Sequence, residues 1–187
     1  MLHYGTAPEL TDEYIDAVWK TLPQHIRPTL MLPSPALSEQ CKCDVTLACE
    51  VFQYTGSFKF RAAYNLLSSV PQQQVIAASS GNFGQAVAYA CKLLDKTCTI
   101  VMPANSAKVK VDAVRSYGGN VDLIDVRQIS RAERVAQLLR EQPEAFHGHA
   151  YDDYRVVAGN STLGSEILQA GTFDTIIVPV GGGGLSS

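Results

Sequence analysis

Residues 75–103, VIAASSGNFGQAVAYACKLLDKTCTIVMP, decide the fold. The run 75–78 is short and apolar, as a buried strand requires. Ser79-Ser80-Gly81-Asn82 interrupts it with residues that favour turns and helix caps. Residues 85–94 are apolar nearly all round, which predicts a buried helix. Residues 97–102 form a second β-branched run closed by Pro103. A strand, a helix and another strand make a βαβ unit, whose crossover sets the two strands parallel. Downstream the rhythm repeats. Residues 109–117 read as a helix stopped by Gly118-Gly119. Residues 121–125 read as a strand, and 131–140 as an amphipathic helix with Ala132, Val135, Ala136 and Leu139 on one face. Residues 162–169 are a further helix, and 175–180 a β-branched strand. Upstream, 12–22 is a helix capped by Thr11, with Asp12 and Glu13 at its positive end. Pro23, Pro28, Pro33 and Pro35 then punctuate an extended segment, and 44–49 is a short strand. The class is α/β, with a parallel sheet covered on both faces.

Composition narrows the partners. The chain has 187 residues, 46% hydrophobic and 18% charged, with net charge -3. Its acidic and basic residues are interspersed, so no basic block marks a nucleic-acid partner. Apolar runs break within a few residues and span no membrane. The opening MLHYGTAPELTDEY lacks the basic-then-apolar order of a secretory signal. A cytoplasmic protein is expected. The five cysteines, an odd number, read as free thiols. Cys41 and Cys43 are too closely spaced for a zinc pair and have no nearby histidine. His147 and His149 alternate and can share a strand face, but two ligands make no metal centre. No metal is expected.

Three segments carry chemistry. Parallel sheets bind ligands at the carboxyl ends of their strands. There, Ser79-Ser80-Gly81-Asn82-Phe83-Gly84 offers hydroxyls, an amide and backbone N–H groups at a helix start. That suits a carboxylate, although serine and asparagine also serve there as plain caps. Gly181-Gly182-Gly183-Gly184 follows an apolar strand and can gather N–H groups around a phosphate. A flexible linker is the alternative, and the spacing does not match the dinucleotide pattern G-x-G-x-x-G. In Thr55-Gly56-Ser57-Phe58-Lys59-Phe60-Arg61, two phenylalanines flank Lys59. Desolvation there would favour the neutral, nucleophilic amine. Alone, the segment reads rather as an amphipathic surface lysine beside Arg61.

A lysine in TGSFKFR, then SSGN, then GGGGL, in that order, resembles fold-type II pyridoxal-phosphate enzymes, which share the tryptophan synthase β-like fold. Within them the chain is most similar to serine/threonine dehydratases and serine racemases. The similarity runs from about residue 27 to the end. It includes Ser34-Pro35-Ala36-Leu37-Ser38, the stretch 108–118 ending in Tyr117-Gly118, Asp152-Asp153-Tyr154 through Gly159, and Thr162-Leu163-Gly164-Ser165-Glu166-Ile167. The resemblance implies three-layer α/β/α architecture, with 55–150 a smaller domain and 1–54 and 151–187 parts of an incomplete larger one. Family members continue past the glycines. The expectation is therefore a chain truncated after the tetraglycine loop, inactive by itself, from a protein that is homodimeric when complete.

The resemblance also implies roles. The cofactor is pyridoxal 5'-phosphate. Lys59 would hold it covalently and then remove the substrate's α-proton. Phe58 would pack near its ring, Asn82 would bond its 3′ oxygen, and Gly181, Gly182, Gly183 and Gly184 would hold its phosphate. Ser79, Ser80 and Gly81 would bind the substrate carboxylate. Ser80 also matches the position that serves racemases as acid/base, and Arg131 a second carboxylate contact in some relatives. The implied reaction is α,β-elimination from L-threonine or L-serine, giving a 2-oxo acid and ammonia. A serine racemase-type isomerase and a non-catalytic fragment are the alternatives; a cysteine synthase is disfavoured, because that branch carries T-S-G-N-T. Three positions depart from the family pattern: Phe83 stands for a common histidine, Ala62 for glycine and Ala48 for lysine.

Overall fold

A computed structural model describes residues 10–187; the part of the signal-sequence reading that rests on residues 1–9 lies outside them. Helix α1 (Asp12–Thr21) starts at Thr11, whose hydroxyl accepts a hydrogen bond from the Tyr14 N–H at 3.2 Å. A single turn (Leu22–Gln24) then leads to β1 (Leu30–Pro33). The proline-punctuated segment is not extended throughout. Pro35 opens helix α2 (Pro35–Cys41), where a missing N–H costs nothing. The chain returns as β2 (Thr46–Cys49), antiparallel to β1 with Leu32 opposite Leu47. This small antiparallel sheet was not anticipated.

The central sheet comprises β3 (Gln74–Ala78), β4 (Thr97–Pro103), β5 (Asn120–Ile124) and β6 (Phe146–Gly148). All pairs are parallel, in the order β5-β4-β3-β6. The chain builds outward from β3 through α4 (Asn82–Leu93) and α5 (Lys108–Ser116), then reverses through α6 (Arg131–Glu141) to lay β6 on the other flank. Strand alternation sorts the two faces. Val75, Ala77, Ile100 and Met102 pack with α4 and α5, whereas Ile76, Val101 and Ile124 pack with Val135 and Leu138 of α6. The α/β/α expectation therefore holds. The order also creates a topological switch between β3 and β6, where the loops leaving both strands diverge and open a crevice.

Helices α3 (Lys59–Ser68) and α7 (Tyr154–Ala170) complete the fold. Segment 55–63, read for its lysine, thus opens a helix. Val18 of α1, Leu22 of the turn after it, and Val156 and Ala158 of α7 join one apolar cluster with α3 and α4. Its packing crosses residues 54–55 and 150–151, where the resemblance divides the chain. The β-branched run 175–180 is not a strand: it pairs with none among the described residues, and Ile177 and Val180 are 93% and 73% exposed. A strand needs a neighbour to take its N–H and C=O groups. No helix among the described residues is long and apolar enough to cross a membrane.

A buried arginine joins these parts. The Arg61 side chain is 0% exposed. Its Nε and Nη2 donate to Glu50 at 2.8 Å each, and its Nη1 and Nη2 to Glu166 at 2.8 and 3.1 Å. Thr162 and Thr29 hydroxyls accept further bonds at 3.0 and 2.8 Å. The Thr29 N–H donates to Glu166 at 2.6 Å. One guanidinium thus ties the segment before β1, the turn after β2, α3 and α7. Helices α3 and α7 touch at backbone distance: an added Cβ on Gly159 would stand 2.7 Å from the Arg61 carbonyl oxygen.

Arg61→Met leaves Glu50 and Glu166 without their counter-charge, and denaturant unfolding should show a loss of about 3–5 kcal/mol. Gly159→Ala should cost about 1–3 kcal/mol by forcing the helices apart. Burial raises the Glu166 pKa, but bonds from Arg61 and Thr29 outweigh it and hold the carboxyl below its ordinary range. Its contribution to stability is present above the unfolded value of about 4.3 and is lost as pH falls through the lower folded value. Unfolding free energy measured against pH should fall across that acidic window, less so in Glu166→Gln.

Candidate active site

The crevice at the β3–β6 switch is a cleft of about 700 Å³. One wall is the loop leaving β3. The Ser79 N–H donates to the Val101 carbonyl at 3.1 Å, and the Ser79 hydroxyl accepts from the Gly81 N–H at 3.2 Å. These bonds fold the loop tightly into α4. Gly84 leaves little room for a side chain, since an added Cβ would stand 3.0 Å from the Ile100 side chain and 3.3 Å from the Ser79 Cβ. Ser79 is buried, whereas Ser80 and Asn82 are exposed to the cleft with no side-chain partner among the described residues. Such a loop, with free donors at a helix N-terminus, can receive a carboxylate.

The facing wall is residues 147–151, leaving β6. Lys59 lies between the walls at the start of α3, and its Nζ donates to the Ala150 carbonyl at 3.3 Å. The ammonium sits 4.9 Å from the Phe58 ring centroid. Burial lowers its pKa from the ordinary lysine value, in the direction a nucleophilic amine needs. Phe60, 0% exposed, anchors the helix start below the cleft, with the rings of Tyr54, Tyr64 and Tyr89 at 5.3–5.8 Å.

The cleft therefore brings together Phe58, Lys59, Ser79, Ser80, Gly81, Asn82 and Arg131. Gly181, Gly182, Gly183 and Gly184 are not among its lining residues; Gly182 and Gly184 pack against Tyr151, which does line it. An added Cβ on Gly182 would meet the Tyr151 ring at 2.5 Å, and one on Gly184 would stand 2.9 Å from the Tyr151 Cα. Gly183 has φ +90. The Asn160 side-chain amide donates to the Gly184 carbonyl, while its Oδ1 is buried without a partner. Phe83 lines the cleft but is only 3% exposed, so its ring belongs mainly to the core.

Sequence reasoning missed part of this wall. His147 and His149, set aside as strand or loop polar residues, both line the cleft, as do Tyr151 and Lys110. Their imidazole centroids are 5.8 Å apart. The Asp152 N–H donates to His149 Nδ1 at 2.9 Å. Burial, then His149, lowers the His147 pKa. The alternation of the two histidines was the available signal, whereas nothing in the sequence marked Tyr151 or Lys110.

A desolvated amine, a free amide, hydroxyls beside a helix start and closely packed glycines fit pyridoxal 5'-phosphate, which needs a covalent nitrogen, polar contacts and an anion cradle. The comparisons agree. Residues 22–187 match the family described as pyridoxal-phosphate dependent enzyme. The L-threonine ammonia-lyase of Geobacter sulfurreducens is 38% identical over 169 residues, which cover 88% of this chain and 42% of that protein. The serine racemase of Dictyostelium discoideum is 35% identical over 173 residues, 90% of this chain and 53% of that protein. The crystal structure of a pyridoxal 5'-phosphate-dependent aspartate racemase superposes with TM-score 0.88 at 31% identity, covering 95% of this chain and 57% of that one. The chain spans about half the length of the curated relatives it matches. From the lysine segment to the glycine run, it belongs to the pyridoxal-phosphate dependent enzymes, the family whose fold and cofactor it shares.

Proposed function

We propose that this chain supplies the lysine-bearing half of a site that deaminates L-threonine or L-serine by α,β-elimination, yielding a 2-oxo acid and ammonia. The observation that carries this reading is Lys59: a half-buried amine of lowered pKa, in a cleft opposite a loop built to hold a carboxylate. When bound, the cofactor supplies the electron sink that makes the α-proton removable. Lys59 holds the cofactor and, once freed, accepts that proton at Nζ. The 79–82 loop orients the substrate carboxylate, Phe58 packs near the cofactor ring and Asn82 contacts its polar edge. The glycine run 181–184 takes the phosphate, with Tyr151 between it and the lysine. Residues 55–150 form the smaller domain in this reading, and the complete protein is a homodimer. The threonine ammonia-lyase among the relatives supports the reaction.

One observation favours a racemase reading. The Ser80 hydroxyl is exposed in the cleft with no side-chain partner among the described residues, so it is free to exchange a proton. Product analysis separates the two: ammonia and 2-oxo acid for the lyase, inverted amino acid for the racemase.

In the cofactor-loaded protein, borohydride reduction and peptide mapping should find the label on Lys59. Lys59→Ala should lower kcat by orders of magnitude, as loss of a covalent and proton-transferring group does. A label on another lysine would overturn the assignment. Phe83 offers no hydrogen-bond donor, so threonine should be used at least as well as serine. One methyl group is worth about 1–3 kcal/mol, so the ratio of kcat/KM should be modest. A strong preference for serine would refute this role for Phe83.

A further inference from the structure

Between β6 and α7 the chain passes from the reactive amine to the glycine run without regular structure to hold it. Among the described residues, no backbone-to-backbone hydrogen bond reaches 150–152. Their placement still matters. The Ala150 carbonyl accepts from Lys59 Nζ at 3.3 Å, and Tyr151 packs on Gly182 and Gly184. A segment of this kind needs a side chain in place of the missing backbone bonds.

His149 supplies it. Its Nδ1 accepts from the Asp152 N–H at 2.9 Å and closes residues 149–152 into a turn. Its ring also meets the Tyr151 ring edge to face, with centroids 4.8 Å apart and planes at 79°. On the other side stands the His147 ring, 5.8 Å away and at 80°. Near-perpendicular rings at these spacings attract one another. One half-buried imidazole therefore holds the loop by a hydrogen bond and by a ring contact, while both neighbours of the turn touch parts of the site.

Pyridoxal 5'-phosphate would be held at two points, covalently at Lys59 and through its phosphate at the glycines. Attachment at two points favours binding only where their separation already matches the ligand, because a loose loop between them must be ordered at each binding event.

We propose that His149 is a positioning residue of this site. Its bond to Asp152 sets the Ala150 carbonyl against Lys59 and the Tyr151 ring against the glycine run, so that the lysine and the phosphate seat keep one separation. This rests on the placement of the cofactor proposed above.

Pyridoxal and pyridoxal 5'-phosphate differ by the phosphate alone and serve as probes in spectrophotometric titrations of the protein. In His149→Ala, the affinity advantage of pyridoxal 5'-phosphate should shrink by about tenfold, the scale of one hydrogen bond with one ring contact. Asparagine can place Oδ1 where Nδ1 stands, so His149→Asn should restore most of that advantage. His149→Phe keeps a ring without the acceptor and should not. Amide exchange followed by NMR should show the Asp152 N–H protected in the unaltered protein and in His149→Asn, but fast in the other two variants. An equal loss of both compounds in His149→Ala overturns the proposal, because it marks general loosening. Failure of asparagine to rescue, or Asp152 protection unchanged in His149→Ala, also overturns it. An unaltered protein that binds neither compound, or both equally, overturns this role together with the phosphate seat.

Borohydride labelling separates the remaining failures. With the label on Lys59 and the advantage unchanged in His149→Ala, the role of His149 alone fails. With the label on another lysine, the cofactor placement fails and this role with it. If neither ammonia nor inverted amino acid forms while the variants behave as stated, the reaction fails and the positioning role stands.

Discussion

The buried guanidinium of Arg61 is the point on which the arrangement of this chain depends. It accounts for every N–H it carries through two bidentate carboxylates and two threonine hydroxyls. Removing a charge of this kind from water costs several kcal/mol, and only near-complete pairing offsets it. Its partners come from positions 29, 50, 162 and 166, so pairing is possible only when the segment before β1, the turn after β2 and α7 have all closed on α3. The network thus selects one arrangement of parts distant in sequence. It also lies two residues beyond Lys59, so the interaction that closes the fold fixes the first turn of the helix carrying the reactive amine.

The second constraint is topological. Because β3 sits inside the sheet and β6 is added on its far flank, the loops after these two strands separate and leave a crevice without any carving by side chains. The β3 loop brings hydroxyls and helix-start N–H groups. The β6 loop brings the Ala150 carbonyl for Lys59 and the Tyr151 ring for the glycines. Tyr151 packs on Gly182 and Gly184 while its neighbour accepts from the lysine, so the lysine and the glycine run are linked through two adjacent residues. Those glycines are required by close packing against a ring as well as by any anion they cradle.

Most of the central sheet was legible in the sequence, and for a physical reason. Residues 75–78, 97–102 and 121–125 are apolar or β-branched runs, each separated from the next by a helix of definite period, and their crossovers admit few arrangements. The 12–22 helix was equally plain, because its cap and first-turn acids are local features. Helix α3 was overlooked because its sequence was read for Lys59, and α2 because prolines were taken as breakers although Pro35 occupies a helix start. The run 175–180 shows the opposite failure: its β-branched residues favour a strand, but no neighbour among the described residues completes one.

By itself, the sequence determined the α/β class, the parallel order of β3, β4 and β5, and the positions of Lys59, the 79–82 loop and the glycine run. These depend on local periodicity and on short motifs whose chemistry is carried by adjacent residues. Only the tertiary structure decided that Arg61 is a core residue and not a surface charge, that Phe83 turns mainly into the core, and that Lys110, Arg131 and His147 meet in the same cleft. Burial, pairing and convergence are relations between residues far apart along the chain. They come into existence when β6 crosses to the far side of β3 and α7 closes over α3.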